Sequence, residues 1–169
     1  MLKNIGQVLE KHGKKVWIMY NVDNHDRYFC KYISRNLATN SIAIISKEKV
    51  YILVSTLDAE NVTKLKYNAD KVHIIVYESN EHLRECIEDV IADLKFPDDL
   101  SLSFSNMGDK NTDVLSHGEY MFITTLFKEP YIKYAKKVKF SSSEEVIYEI
   151  ESKKTVKQIN RLKCSASIT

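Results

Sequence analysis

Two short β-rich runs separated by three residues place the strongest constraint on how this chain can fold. Ser41–Ser46 and Val50–Ser55 are rich in isoleucine, valine and leucine, and Lys47, Glu48 and Lys49 stand between them. β-Branched and aromatic residues favour strands, and a short polar connection between two such runs is typical of a hairpin. The sequence therefore predicts an antiparallel hairpin.

Other strands and helices alternate along the chain around this hairpin. Val16–Tyr20, with the sequence VWIMY, suits a strand buried on both faces. Leu100–Ser105 alternates leucine and phenylalanine with serine, which is typical of a half-exposed strand. The remaining predicted strands are Val72–Tyr77 and, after a turn that starts at Tyr131, Lys137–Phe140. Five helices are predicted. The first contains Leu2–Leu9 and ends at Gly13, the second begins at Thr56, the third and fourth are Asn80–Lys95 and Asp113–Phe127, and the fifth follows Ser142. This order predicts an α/β fold with a mixed, roughly six-stranded sheet flanked by helices.

The last stretch of the chain has the pattern of a helix that begins there. Thr155 and Gln158 have the spacing of a capping box, in which two side chains satisfy the first backbone N–H groups of a helix. Apolar residues then recur at three- and four-residue steps, at Val156, Ile159, Leu162 and Ala166. Such a stripe needs a surface to cover it. The alternative interpretation is an ordinary surface helix at the C-terminus.

Composition excludes several classes of partner. The 25 basic and 23 acidic side chains are well mixed and give a net charge of +2. The chain therefore lacks the strong positive electrostatic field that binding of a nucleic acid requires. No apolar segment approaches the roughly 20 residues that span a bilayer, so no membrane contact is expected. The three cysteines are an odd number without metal-knuckle spacing, which fits free thiols and a cytoplasmic location.

Signatures of catalysis are absent from the sequence. The four glycines form no phosphate-binding or dinucleotide-binding loop, and no serine lies in a G-x-S-x-G elbow. His82 and Cys86 lie one helical turn apart, but two ligands do not complete a tetrahedral metal site. We therefore expect neither a catalytic residue nor a bound metal or cofactor in this chain.

The stretch richest in chemically versatile side chains follows the first predicted strand. It contains Asp23, Asn24, His25, Asp26, Arg27 and Tyr28. Loops after strands are where α/β sheets place contacts to ligands and partners. The alternative is a solvated loop in which asparagine and aspartate only form turns.

Three segments carry a resemblance to a known family. Ile42–Glu60 reads IAIISKEKVYILVSTLDAE, a hairpin followed by L-D-A-E. Asn24 and Tyr28 follow the first strand, where the family has the motif N-x-x-Y-L-T-G-F. Near the end, Lys154, Thr155 and Ile159 match a junction of the form R-x-I-K-T-x-E-E-I. In this order, over essentially the whole chain, the segments resemble the N-terminal domain of the creatinase/prolidase family, metal-dependent peptidases that act next to proline.

The resemblance implies a division of labour between two domains. Residues 1–152 would form the non-catalytic N-terminal domain, and residues 153–169 would start the linker helix to a catalytic domain outside this chain. In the family, two Asp, one His and two Glu of the catalytic domain bind two divalent metals, here expected to be Mn, Co or Zn. The resemblance further implies a homodimer acting on short proline-containing peptides. Asp23 to Tyr28 would then lie at the substrate entrance or at the dimer contact.

Two alternatives to the peptidase interpretation stay open at the level of sequence. The first is a free-standing binding or assembly module with the same fold. The second is a ribonuclease-H-like nuclease, since that fold shares a mixed sheet flanked by helices. Such nucleases need clustered carboxylates, usually beginning with an aspartate inside the first strand, and Val16–Tyr20 contains none.

Overall fold

The computed structural model describes residues 2–63 and 71–152. Within these residues six strands and six helices alternate along the chain. The strands are β1 (Val16–Asn21), β2 (Ser41–Ser46), β3 (Val50–Ser55), β4 (Val72–Tyr77), β5 (Asp99–Leu102) and β6 (Lys139–Ser142). The helices are α1 (Leu2–Lys11), α2 (Arg27–Tyr32), α3 (Ala59–Thr63), α4 (Asn80–Asp93), α5 (His117–Lys133) and α6 (Glu144–Ser152). A 3₁₀ turn, Thr56–Asp58, precedes α3.

All six strands belong to one mixed sheet, in the order β4-β3-β2-β1-β5-β6. β2 runs antiparallel to both of its neighbours, β1 and β3. The other pairings are parallel. The α/β fold class and the β2–β3 hairpin are therefore confirmed, and the hairpin strands have the predicted bounds.

Each face of the sheet carries its own apolar core. One face packs against α4 and α5 through residues such as Ile87 and Phe127. The other packs against α1, α2 and α6 through residues such as Leu9, Phe29 and Val146. The apolar run Val16–Tyr20 is buried as predicted, and β1 extends one residue further, to the buried polar Asn21. The sheet is thus the middle layer of a three-layer structure.

The burial of β5 differs from the prediction. Leu100–Ser105 alternates as a half-exposed strand would, yet all four residues of β5 are buried. The strand lies between β1 and β6, where both of its faces are covered. Its serine hydroxyls find partners there, because Trp17 Nε1 donates to Ser103 Oγ at 3.1 Å and Ser101 Oγ lies 3.2 Å from Ser141 Oγ. A small hydroxyl can be buried when it is hydrogen-bonded.

The prediction around Pro130 was also wrong. A helix ending at Phe127 and a turn from Tyr131 were expected, but α5 continues through Pro130 to Lys133. Tyr131 is 1% exposed, and its hydroxyl donates to the carbonyl oxygen of Pro97 at 2.6 Å. The buried Tyr131 stabilises the last turn of α5 and so offsets the loss of a helical hydrogen bond at Pro130. The helix begins later than predicted, at a capping box formed by Ser116 and Glu119.

Asp58 lies in the 3₁₀ turn that precedes α3. Its buried carboxylate accepts hydrogen bonds from the backbone N–H groups of Ala38, at 2.9 Å, and Thr39, at 2.8 Å. Burial opposes ionisation, but these bonds and that of the Thr39 hydroxyl hold the pKa of Asp58 below its ordinary value. The carboxylate therefore ties the segment before β2 to the start of α3.

Two predictions fall on residues outside the described ranges. They are the continuation of the helix from Thr56 beyond Thr63, and the linker helix over residues 153–169 with its capping box. The boundary between residues 152 and 153 therefore stays a prediction. No helix within residues 2–63 and 71–152 is both long and apolar enough to cross a membrane.

Candidate functional site

The candidate site lies at the carboxyl edge of three parallel strands. β1, β5 and β6 run in the same direction, so the segments that follow them meet at one edge of the sheet. These segments are the β1–α2 loop with α2, the loop 103–116, and α6. Between them lies a cleft of about 410 Å³, which we call the α2 cleft. It is lined by Arg27, Tyr28, Lys31, Arg35, Asn111, Thr112, Ile147, Tyr148 and Glu151.

Asp26 is the buried N-cap of α2. One carboxylate oxygen, Oδ1, accepts hydrogen bonds from the N–H groups of Tyr28, at 2.8 Å, and Phe29, at 2.9 Å. Its second oxygen has no hydrogen-bond partner in the described structure, nor does the amide nitrogen of Asn21 in the same turn. Burial raises the pKa of Asp26 to about 6, although the capping bonds oppose the shift. The site thus contains a carboxyl group that titrates near neutrality.

Arg27 and Tyr28 join α2 to the loop 103–116. The Tyr28 hydroxyl donates to the carbonyl oxygen of Asn111 at 2.6 Å, and the Arg27 guanidinium donates to the same oxygen. The guanidinium carbon also lies 4.8 Å from the centre of the Tyr28 ring, within the range of a cation–π contact. Burial raises the pKa of Tyr28, which keeps its hydroxyl a neutral donor. The pair fixes one wall of the α2 cleft.

The first three residues of the predicted stretch face solvent. Asp23, Asn24 and His25 are exposed, and both Asp23 and Asn24 have positive φ angles, of 50° and 58°. The left-handed conformation suits aspartate and asparagine better than other non-glycine residues. The Asn24 amide donates to the carbonyl oxygen of Leu37 at 3.0 Å. Asp23 and His25 therefore present their side chains to solvent, whereas Asp26 and Tyr28 hold the loop in shape.

The α2 cleft has an excess of positive charge. Three basic side chains and one acidic side chain line it. Lys31 Nζ lies 2.5 Å from Glu151 Oε1, and the Tyr32 hydroxyl donates to the same oxygen at 3.0 Å. Arg35 forms no ion pair with any residue of the described ranges. Guanidinium and ammonium groups donate strongly to carboxylates, so the cleft suits an anionic group.

Most of the cleft lining was not predicted from the sequence. Arg27 and Asn111 are 84 positions apart, and no local pattern links them. The available signal was the spacing of Arg27, Lys31 and Arg35, which recur every fourth residue from the start of α2. Helical spacing accounts for Arg27 and Lys31, which lie one turn apart on α2, whereas Arg35 follows the end of that helix at Tyr32.

The described residues contain no candidate metal centre. Nowhere in residues 2–63 and 71–152 do three His, Cys, Asp or Glu side chains come together as ligands. His82, for example, has a structural contact, because its Nδ1 accepts from the N–H of Glu78 at 3.3 Å. The nuclease alternative requires clustered carboxylates, and this part of the chain does not supply them.

Solved structures with a similar fold include Xaa-Pro peptidases and isolated domains of them. An X-Pro aminopeptidase from Thermotoga maritima MSB8 has a TM-score of 0.64 and 15% identity, over 95% of this chain and 38% of its own. The N-terminal domain of Xaa-Pro dipeptidase from Lactobacillus brevis has a TM-score of 0.59 and 13% identity, over 88% of this chain and 98% of its own. For the creatinase/prolidase N-terminal domain of an X-Pro dipeptidase from Streptococcus pyogenes the TM-score is 0.51 and the identity 13%, over 83% and 97% of the two chains.

These likenesses define the fold. No protein-family model matches the sequence, and no curated protein matches it either. The chain spans little more than a third of the Thermotoga aminopeptidase but nearly all of the two isolated domains. It is therefore an α/β domain of the kind found in Xaa-Pro peptidases. More narrowly, it has the fold of the creatinase/prolidase N-terminal domain, as the sequence resemblance predicts.

Proposed function

We propose that this chain is the non-catalytic N-terminal domain of a proline-specific metallopeptidase. The observation that supports this most directly is the pattern of coverage. The chain matches 98% of an isolated Xaa-Pro dipeptidase N-terminal domain but only 38% of a complete aminopeptidase. In this proposal a catalytic domain elsewhere binds the two divalent metals, Mn, Co or Zn, and cleaves short Xaa-Pro peptides in the cytoplasm.

Within that protein, the domain would serve dimerisation and restrict access to the active site. Asp23 and His25 project from the carboxyl edge of the sheet, and Asp26 and Tyr28 hold their loop in a fixed shape. A rigid loop with exposed polar side chains can select among approaching peptides or contact a second subunit. The basic α2 cleft beside it favours the carboxylates of a peptide or of an acidic partner.

A free-standing binding module is the second candidate function. The observation that favours it is the α2 cleft, a preformed concave surface with an excess of positive charge. Such a module would use the same residues without any catalytic domain.

Hydrolysis assays on the purified chain test the division of labour. With Mn²⁺, Co²⁺ or Zn²⁺ we expect no cleavage of Xaa-Pro dipeptides or longer Xaa-Pro peptides above the level of buffer. Chelator-sensitive cleavage that co-purifies with the chain would refute the proposal. The coding sequence beyond Thr169 supplies the complementary result, since a following domain with two Asp, one His and two Glu as metal ligands is expected. A stop codon there would make the binding module the leading account.

Replacing His25 by alanine in the full-length peptidase tests the role of the exposed loop. The side chain is exposed and forms no hydrogen bond within the described residues, so unfolding should change by less than about 0.5 kcal/mol. We expect KM for peptides longer than dipeptides to rise about threefold or more with kcat unchanged, as loss of a contact to the bound peptide would cause.

His82→Ala is the matched control for this experiment. His82 lies on α4, which covers the face of the sheet opposite α2. The KM of the His82→Ala variant should therefore equal that of the wild type. Equal KM values for the His25 variant and the wild type, with the same fraction of dimer, would remove the proposed role from this loop.

A further inference from the structure

The positive charge of the α2 cleft is concentrated in two arginines. Lys31 forms an ion pair with Glu151, so these two side chains add no net charge to the cleft. Arg27 and Arg35 also line it, and neither forms an ion pair with a residue of the described ranges. Both residues are exposed. The cleft therefore has two guanidinium groups whose charge no carboxylate of this part of the chain compensates.

Neutral partners hold the Arg27 guanidinium in place. It donates to the carbonyl oxygen of Asn111, to Asn111 Oδ1 at 3.4 Å and to the Tyr28 hydroxyl oxygen at 2.6 Å. These acceptors are uncharged, so the contacts orient the guanidinium without neutralising it. A guanidinium has more N–H donors than these contacts use. An anion entering the cleft would meet a charge that is already positioned, which lowers the entropy cost of binding.

An aromatic ring forms another part of the cleft wall. Tyr148, on α6, is 47% exposed and lines the cleft beside the buried Ile147. Its hydroxyl lies within hydrogen-bond distance of the carboxylates of Asp109 and Glu144, which fixes the far end of the ring. A half-exposed tyrosine ring held in this way can pack against a ring of a ligand.

The two carboxylates that hold Tyr148 do not line the cleft. They have other donors nearby as well, because Asp109 Oδ1 accepts from the N–H of Asn111 at 2.8 Å and Glu144 Oε1 accepts from the Ser105 hydroxyl at 2.9 Å. Their charge is therefore directed into the loop 103–116, and the excess of positive charge stays in the cleft.

We propose that the α2 cleft binds a phosphate monoester of a small aromatic molecule. At neutral pH a phosphate monoester has roughly two negative charges, which match the two uncompensated guanidinium groups. A guanidinium can donate two parallel hydrogen bonds to phosphate oxygens. A single carboxylate would leave one of the positive charges uncompensated. The volume of the cleft, about 410 Å³, is that of a site for a small molecule.

This recognition would rely on side chains and not on a glycine-rich loop. The absence of a phosphate-binding loop from the sequence is therefore compatible with it. The proposal specifies the ligand of the cleft and does not require a catalytic domain. Its failure would leave the division of labour in the proposed peptidase untouched, and the hydrolysis assays do not decide it.

Titrations of the 169-residue chain with three probes, followed by amide NMR signals in low-salt buffer, test the proposal. Phenyl phosphate should shift the signals of α2, Asn111 and Thr112 saturably, with a dissociation constant below about 1 mM. Inorganic phosphate lacks the ring and benzoate has a single charge, so each should bind at least about tenfold more weakly.

Three outcomes of these titrations would overturn the proposal. The first is the absence of a saturable shift with phenyl phosphate. The second is benzoate binding as tightly as phenyl phosphate, which would make the cleft a carboxylate site. The third is inorganic phosphate binding as tightly, which would show that the ring makes no contact.

Replacing Arg35 by glutamine tests the location of the site. Because Arg35 is exposed, the substitution carries little risk to folding. The dissociation constant for phenyl phosphate should rise about tenfold or more, since a charge-assisted hydrogen bond is lost. Arg84→Gln is the matched control, because Arg84 is an exposed arginine on α4, on the opposite face of the sheet, and its loss should leave the constant unchanged. Wild-type affinity in the Arg35 variant would overturn the assignment of the ligand to this cleft.

Discussion

Replacing Gly6 by alanine is expected to destabilise the protein by about 3 kcal/mol, at the upper end of what overpacking costs. Gly6 lies on α1, where the helix crosses the turn of the β2–β3 hairpin. An added Cβ would lie 2.6 Å from the carbonyl oxygen and 2.8 Å from the Cα of Lys47. These are backbone atoms, so no side-chain rotation can relieve the overlap. Either α1 or the hairpin turn must move, and urea unfolding would measure the loss.

Gly118→Ala is the matched control, because the chemical change is the same and the surroundings differ. An added Cβ at Gly118 meets no atom within 4 Å. Gly118 lies in the first turn of α5, where alanine favours the helix by about 0.5 to 1 kcal/mol. We therefore expect opposite signs for the two substitutions. A Gly6 variant as stable as the wild type would mean that α1 does not pack on the hairpin as closely as the structure shows.

The elements predicted well from the sequence are those whose signal is local. The hairpin strands and β4 have the predicted bounds, because runs of β-branched residues between polar turns specify strands without reference to the rest of the chain. The burial of β5 and the length of α5 could not be read in this way. Buried serines need partners from β1 and β6, and the passage of α5 through Pro130 depends on the contact of Tyr131 with Pro97.

The candidate site, too, could be predicted only as far as its sequence signal is local. The stretch from Asp23 to Tyr28 could be selected because polar and ionisable residues follow a buried strand. The sequence could not show which residues of this stretch are exposed and which are structural. That difference depends on the contact of Tyr28 with Asn111, more than 80 positions away. The basic cleft likewise needs α6, which the chain reaches only after three further strands beyond the hairpin. A linear pattern carries no information about which distant segments meet at one edge of a sheet.

Changing Asp26 to asparagine is expected to stabilise the protein by about 1 to 3 kcal/mol at pH 7. The pKa of this carboxyl is about 6 in the folded protein, against an ordinary value of 3.8, because burial disfavours its charge. A raised pKa means that the folded state binds the proton more tightly, so stability falls as the pH rises from about 4 to 6. Above that range the buried carboxylate is ionised, and its charge destabilises the folded state by the full amount, about 3 kcal/mol. Asparagine keeps the Oδ1 acceptor that caps α2 and removes the charge.

Urea unfolding of both proteins between pH 4 and pH 7 measures this effect. The free energy of unfolding of the Asp26→Asn variant should exceed that of the wild type by nearly zero at pH 4, where the wild-type carboxyl is largely protonated in the folded state. The difference should grow towards pH 7. Asp23→Asn provides the control, because the same change in the same loop falls on an exposed side chain and should stay within about 0.5 kcal/mol at every pH. An Asp26 variant less stable than the wild type at pH 7 would show that the capping bonds require the charged carboxylate. The buried acid would then be a stabilising cap, and the loop that carries Asp23 and His25 would depend on its ionised form.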